Sequence, residues 1–106
     1  MMQAMQNLQL LQEKVAKAQL ELETLTVEEH GGDRRVTVTV DGKGRIRDLA
    51  IVLESTGDDE RELLEDLILT TINRALDSAR ALSERHLAEA TAGLIPNIPG
   101  LNLPFS

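Results

Sequence analysis

Eight apolar residues in the first twenty-five stand at alternating intervals of three and four: Met1, Ala4, Leu8, Leu11, Val15, Ala18, Leu22 and Leu25. That spacing is the a/d seam of a helix that lies along a neighbour, and it persists for more than three heptads. Leu10 and Leu20 widen the stripe beyond the seam, as a helix touching more than one neighbour requires. Two partners satisfy such a seam. One is a second subunit in a coiled-coil contact; the other is the chain's own sheet.

A second helical pattern runs from Asp58 to about Ala90. Leu64, Ile68, Thr71, Ala75, Ala79, Leu82 and His86 follow one stripe, flanked by Leu67, Ile72 and Leu76. Asp58 or Asp59 is placed to cap it, and Glu62 with its acidic neighbours complements the N-terminal dipole. Such a helix is about 48 Å long, whereas a strand of seven residues spans only about 23 Å. One small sheet cannot cover two helices of this kind. Their apolar faces are therefore expected to meet a second copy, with Leu8, Leu11, Val15, Leu22, Leu25, Ile68 and Ile72 in the dimer interface.

Between the helices the period changes to two. Val36, Val38 and Val40 alternate with Thr37 and Thr39, giving one apolar and one polar face. His30-Gly31-Gly32-Asp33 reads as a turn, and Thr24–Glu29 as a third strand if it leaves the first helix. Asp41-Gly42-Lys43-Gly44 reads as a hairpin loop with Gly44 in the left-handed region. That register sets Val40 opposite Ile46 and Thr39 opposite Arg47, with Arg35, Arg45 and Arg47 on the outer, threonine face. A slip in period then turns Leu49, Ile51 and Leu53 inward, so a bulge is expected near Asp48. The predicted architecture is α+β: a long N-terminal helix, a small antiparallel sheet of about three strands and a long C-terminal helix. Residues 1–92 form one dimerising domain. Residues 93–106, with Pro96, Pro99 and Pro104, are expected to form an apolar non-helical tail, either loosely docked or disordered, or packed on the partner.

Chemistry is sparse. Without cysteine there is no disulfide, thiolate metal site or thiol nucleophile. His30 and His86 sit far apart in unrelated elements, Ser55, Ser78 and Ser83 lack a neighbouring base, and Gly42-Lys43-Gly44 is too short for a phosphate loop. The acidic run Asp58, Asp59, Glu60, Glu62, Glu65 and Asp66 lacks the glycine and alternating ligands of a calcium loop. The chain is expected to be no enzyme and to carry no metal, cofactor or small-molecule substrate. Gln and Asn interrupt Met1–Leu11, so no signal peptide is expected, and no apolar run suits a membrane span. A soluble cytoplasmic protein is the default expectation.

The charge is unevenly spread. The chain carries −7, yet residues 34–47 sum to +4 from Arg34, Arg35, Lys43, Arg45 and Arg47 against Asp41. Either Glu28, Glu29 and Asp33 neutralise these cations in a salt-bridged strand surface, or they form an anion-facing patch that a dimer doubles. With one Phe and neither Tyr nor Trp there is no stacking platform for unpaired bases, so duplex backbone is the better nucleic-acid target.

The assembled pattern resembles the YbaB/EbfC family of bacterial nucleoid-associated proteins over nearly the whole chain. The likeness rests on "MQAMQNLQLLQEKVAKAQLELETLTVE", "VTVTVDGKGRIRDLAI", "LEDLILTTINRALDSA" and the tail "TAGLIPNIPGLNLPF". The resemblance implies a tweezer-like homodimer that binds DNA without catalysis, in the nucleoid. It further implies a role in nucleoid organisation or gene regulation, with a link to recombinational repair. Arg34, Arg35, Lys43, Arg45 and Arg47, joined by Lys14 and Lys17 on the first helix, are the candidate phosphate contacts. The rival reading is an acidic dimeric protein-binding module of the secretion-chaperone kind.

Overall fold

A computed structural model describes residues 2–53 and 58–92, the side chains of Met2 and Asp58 excepted. Met1 of the seam, the capping side chain of Asp58, Ser55 and the tail 93–106 lie outside the described residues. The element order is α1 (Met2–Glu21), β1 (Thr26–Gly31), β2 (Val36–Asp41), β3 (Ile46–Ile51) and α2 (Asp58–Ala90). The α+β architecture is as the periodicities require.

α1 stops at Glu21, before its apolar seam does. The β-branched Thr24, Thr26 and Val27 follow, residues that lose rotamer freedom in a helix. The chain tightens into a turn in which the amides of Glu23 and Thr24 reach the carbonyls of Leu20 and Glu21, and the Thr24 hydroxyl donates to the Glu21 carbonyl at 2.9 Å. Leu22 and Leu25 are therefore loop residues rather than the last rungs of a helical seam. Leu22 is 2% exposed and lies against Gly42, whose amide donates to the carbonyls of both Leu22 and Leu25 at 2.9 Å.

The sheet is a plain antiparallel meander, β1-β2-β3. β1 runs through Gly31, so His30 is a strand residue opposite Thr37 and the turn begins only at Gly32. Gly32, Asp33 and Arg34 all take positive φ, at 59°, 56° and 69°, which an arginine adopts only under strain. In the second hairpin Gly44 is left-handed at φ 84° and Val40 pairs with Ile46, both as expected. The bulge falls one residue earlier than the period suggests. Thr39 pairs with Asp48, not with Arg47, and Arg47 is the extra residue.

The three valines of β2 are fully buried beneath α2. Thr71, Ala75 and Ala79, four residues apart, form the buried line of that helix, and their small size lets it close on the strands. Contact is tightest at Gly31, where a Cβ would collide with the Thr71 hydroxyl. Leu64, Leu67, Ile68, Ile72, Leu76 and Val27 rim this cluster. Farther along, α2 meets the end of α1, where Ala18 is buried and His86 Nε2 lies 3.4 Å from Glu21 Oε1.

Much apolar surface stays uncovered. α2 packs on β1 and β2, so the β3 residues of the same face are open: Ile46 is 47% exposed, Leu49 43% and Ile51 38%. Leu8 on α1 is 56% exposed. The radius of gyration is 19.3 Å, against about 13 Å for a compact chain of this length.

Candidate nucleic-acid interface

The second hairpin is organised around one carboxylate. Asp41 ends β2 with no solvent exposure. Its Oδ1 accepts the amides of Lys43 at 2.9 Å and Arg45 at 3.0 Å, and its Oδ2 accepts Arg47 Nε at 2.7 Å. Burial opposes ionisation, but the Arg45 amide, the Arg47 guanidinium and the Lys43 amide outweigh it and hold the carboxyl below its usual range. An aspartate at the start of a tight loop commonly bonds amides two residues on. Here the same group also reaches around the bulge to Arg47, whose guanidinium additionally touches the Glu23 carbonyl at 3.4 Å.

The hairpin cations consequently differ. Arg47 is tied to a buried counter-charge. Lys43 and Arg45 are exposed, and among the described residues neither side chain has an ion-pair partner. The loop backbone offers an anion nothing, because the Gly42, Lys43, Gly44 and Arg45 amides all donate within the protein. Any grip on an anion comes from side chains.

Arg34 and Arg35 lie at the other end of the sheet, about 20 Å away by the length of a six-residue strand. Arg35 is not on the outer face. Its guanidinium meets Glu60 of α2 at 3.3 Å, the side chain is mostly buried, and its Nε has no partner among the described residues. Nor is the threonine face basic. The register lines up Glu28, Thr39 and Asp48 across it, and next to them His30, Thr37 and Ala50. His30 bonds Thr37 Oγ1 at 2.9 Å through Nδ1 and faces Glu28 at 3.3 Å through Nε2. The bulge explains the difference, since it removes Arg47 from the paired positions and gives its place to Asp48.

Lys14 and Lys17 form a third group, in a shallow groove between α1 and α2 with Glu21, His86 and Glu89. The structure thus divides the seven candidate cations among three places. It also adds an eighth cation, Arg80. Arg80 projects from α2 into a groove of about 360 Å³ beside the hairpin loop, shared with Lys43, Leu76 and Ser83.

The residues expected between subunits are also distributed. Leu22, Ile68 and Ile72 pack within the chain, Leu11, Val15 and Leu25 are half-buried, and Leu8 is open. Ile46, Leu49 and Ile51 form an additional exposed apolar row. Their inward direction was legible from the alternation; their lack of a covering helix was not. Among the described residues no group of three or more His, Asp or Glu is placed to hold a metal ion, and no helix is long and apolar enough to cross a membrane.

Comparison with known proteins gives a consistent outcome. Residues 1–94 match the YbaB/EbfC DNA-binding family. A nucleoid-associated protein of Methylocella silvestris is 42% identical over 106 residues, covering 99% of this chain and 97% of the relative. Nucleoid-associated proteins of Agrobacterium fabrum and Rhizobium meliloti are 40% and 39% identical over 95 residues, each covering 90% of this chain and 88% of the relative.

Proposed function

This chain belongs to the YbaB/EbfC DNA-binding family, and from that premise we propose that it binds duplex DNA as a homodimer, mainly through backbone phosphates and without catalysis. Its place would be the nucleoid, as the names of its relatives imply for them. Its role would be nucleoid organisation or gene regulation, while a link to recombinational repair rests on the family likeness alone.

The observation that carries the reading is that Lys43 and Arg45 at the hairpin tip have no ion-pair partner among the described residues, beside the bond from half-exposed Arg47 to buried Asp41 that fixes the loop. Long cationic side chains on a fixed loop suit phosphates, which position a protein without reading bases. The scarcity of aromatics again favours a duplex over unpaired bases.

Dimerisation is supported by β3. An edge strand with unpaired backbone groups and an apolar row along it is a surface that monomeric proteins avoid exposing. A second copy placed against β3 would cover Ile46, Leu49 and Ile51, and would set two hairpin tips in one particle.

A labelled random-sequence duplex titrated across a salt series tests the function. The logarithm of affinity should fall linearly with that of salt, by about 0.9 per phosphate neutralised, and should vary little between duplex sequences. Absence of binding at low salt would refute the DNA reading and favour the protein-partner alternative.

A further inference from the structure

We propose that the groove between the hairpin loop and α2 seats a single phosphate of the duplex backbone, held by Lys43 and Arg80 together. The inference rests on the DNA-binding reading and adds to it a site built from two elements.

The groove, about 360 Å³, is lined by Gly42, Lys43, Gly44, Leu76, Arg80 and Ser83. Its two cations come from opposite walls, one from the loop and one from the helix. On the loop side a Cβ built on Gly44 would meet nothing within 4 Å, so a strand can approach without obstruction. The loop amides are committed internally, which leaves the side chains of Lys43, Arg80 and the half-buried Ser83 as the groove's groups able to meet an anion. Leu76 gives the groove an apolar floor, suited to a deoxyribose flank rather than to a hydrated ion.

Neither Asp77 nor Asp41 cancels the two charges. Asp77 Oδ1 lies 3.8 Å from Arg80 Nη1, with both side chains mostly in water, and an exposed pair of this kind is worth little. Asp41 is spent on Arg47 and two amides. A guanidinium offers a planar fork that grips phosphate oxygens in pairs, and an ammonium adds a compact charge from the other side. The two groups thus divide the work on one phosphodiester.

Two cations on one phosphate are coupled, whereas two cations on separate phosphates are independent. The test is a double-mutant cycle with Lys43→Gln, Arg80→Gln and the pair, titrated with a labelled duplex between about 50 and 200 mM salt. One phosphate contact accounts for about 3.5-fold of affinity across that range, from the slope of about 0.9. Each single variant should weaken binding and flatten the salt slope, and the double variant should lose less than the product of the two losses. Ser83→Asp, which sets a carboxylate in the same groove, should bring binding down to the double-variant level. All four should melt with the parent, because these positions carry no core packing. Inorganic phosphate at matched ionic strength should not displace the duplex more than chloride does; if it does, the seat serves free phosphate and the proposal fails. Losses that multiply, or an Arg80→Gln variant that binds as the parent, overturn the shared seat while leaving duplex binding intact. A parent that binds no duplex at low salt overturns both readings.

Discussion

Replacing Asp41 by Asn should lower stability and raise DNA affinity at once. The carboxylate makes three bonds: two amides on Oδ1 at 2.9 and 3.0 Å, and Arg47 Nε on Oδ2 at 2.7 Å. An asparagine with its carbonyl in the Oδ1 place keeps both amide bonds, though without the help of the charge. Its amide group then meets Arg47 Nε donor to donor, and that bond is lost. A hydrogen bond involving an ionised partner is worth about 1.5–3 kcal/mol. Arg47 is 48% exposed and recovers part of this from water, while the weakened amide bonds add to the cost. We expect a loss of about 2 kcal/mol, or about 10 °C in melting temperature at equal protein concentration.

The released guanidinium becomes a third free cation at the tip. Affinity for duplex DNA should therefore rise, and the salt slope should steepen by up to about 0.9 per protomer. The pH dependence supplies a second sign. The folded-state pKa of Asp41 lies below the ordinary 3.8, so its contribution is fully present above that value and disappears as pH falls through the depressed one. Parent and Asn variant should differ most in melting temperature near neutrality and converge in strong acid. Circular dichroism melts and fluorescence anisotropy read the two effects separately. An Asn variant that keeps its fold but binds DNA more weakly would refute the reasoning, and Arg47 would then belong among the phosphate contacts.

Two further outcomes follow from the packing. Leu49→Asp places a charge in the exposed β3 row and should convert the proposed dimer to a monomer by light scattering at micromolar concentration; a variant that stays dimeric would remove β3 from the interface. Gly42→Ala should cost about 2 kcal/mol, since its Cβ would lie 2.9 Å from the Leu22 carbonyl oxygen and 2.7 Å from Leu22 Cδ2, and a melting temperature equal to the parent's would show that the α1–β1 turn is free to shift.

The readable part of this fold was its periods. Alternation located β2, the Asp-Gly-Lys-Gly loop placed the left-handed Gly44, and the slip in β3 announced a bulge. What alternation cannot fix is which residue is the extra one. Moving the bulge from Asp48 to Arg47 put an acid where a base was expected on the outer face, and that single step removed the basic sheet surface the residues suggested. The seam misled in a similar way. Leu22 and Leu25 keep its spacing after the helix has ended, because the turn that follows buries Leu22 under a different partner, the hairpin glycine. Arg80 was legible as a charge on a helix but not as a neighbour of Lys43, a pairing that only the fold creates.

The position of α2 explains how a chain of net charge −7 can still present a cationic end. Its first turns hold Asp59, Glu60, Glu62, Glu65 and Asp66, where carboxylates complement the helix dipole. These lie by the first sheet turn, where Glu60 meets Arg35 and Leu67 lies under Gly32. The helix then crosses the strands and passes the other sheet end at Leu76 and Arg80. That end lies about 20 Å from the acidic one, and the screening length at physiological salt is about 8 Å. The acids therefore act on DNA over the first turn far more than at the hairpin tip. In the proposed binding mode they would repel a duplex from one end of the sheet and leave the other free to bind, so the same uneven charge that makes the chain acidic would also orient it on that ligand.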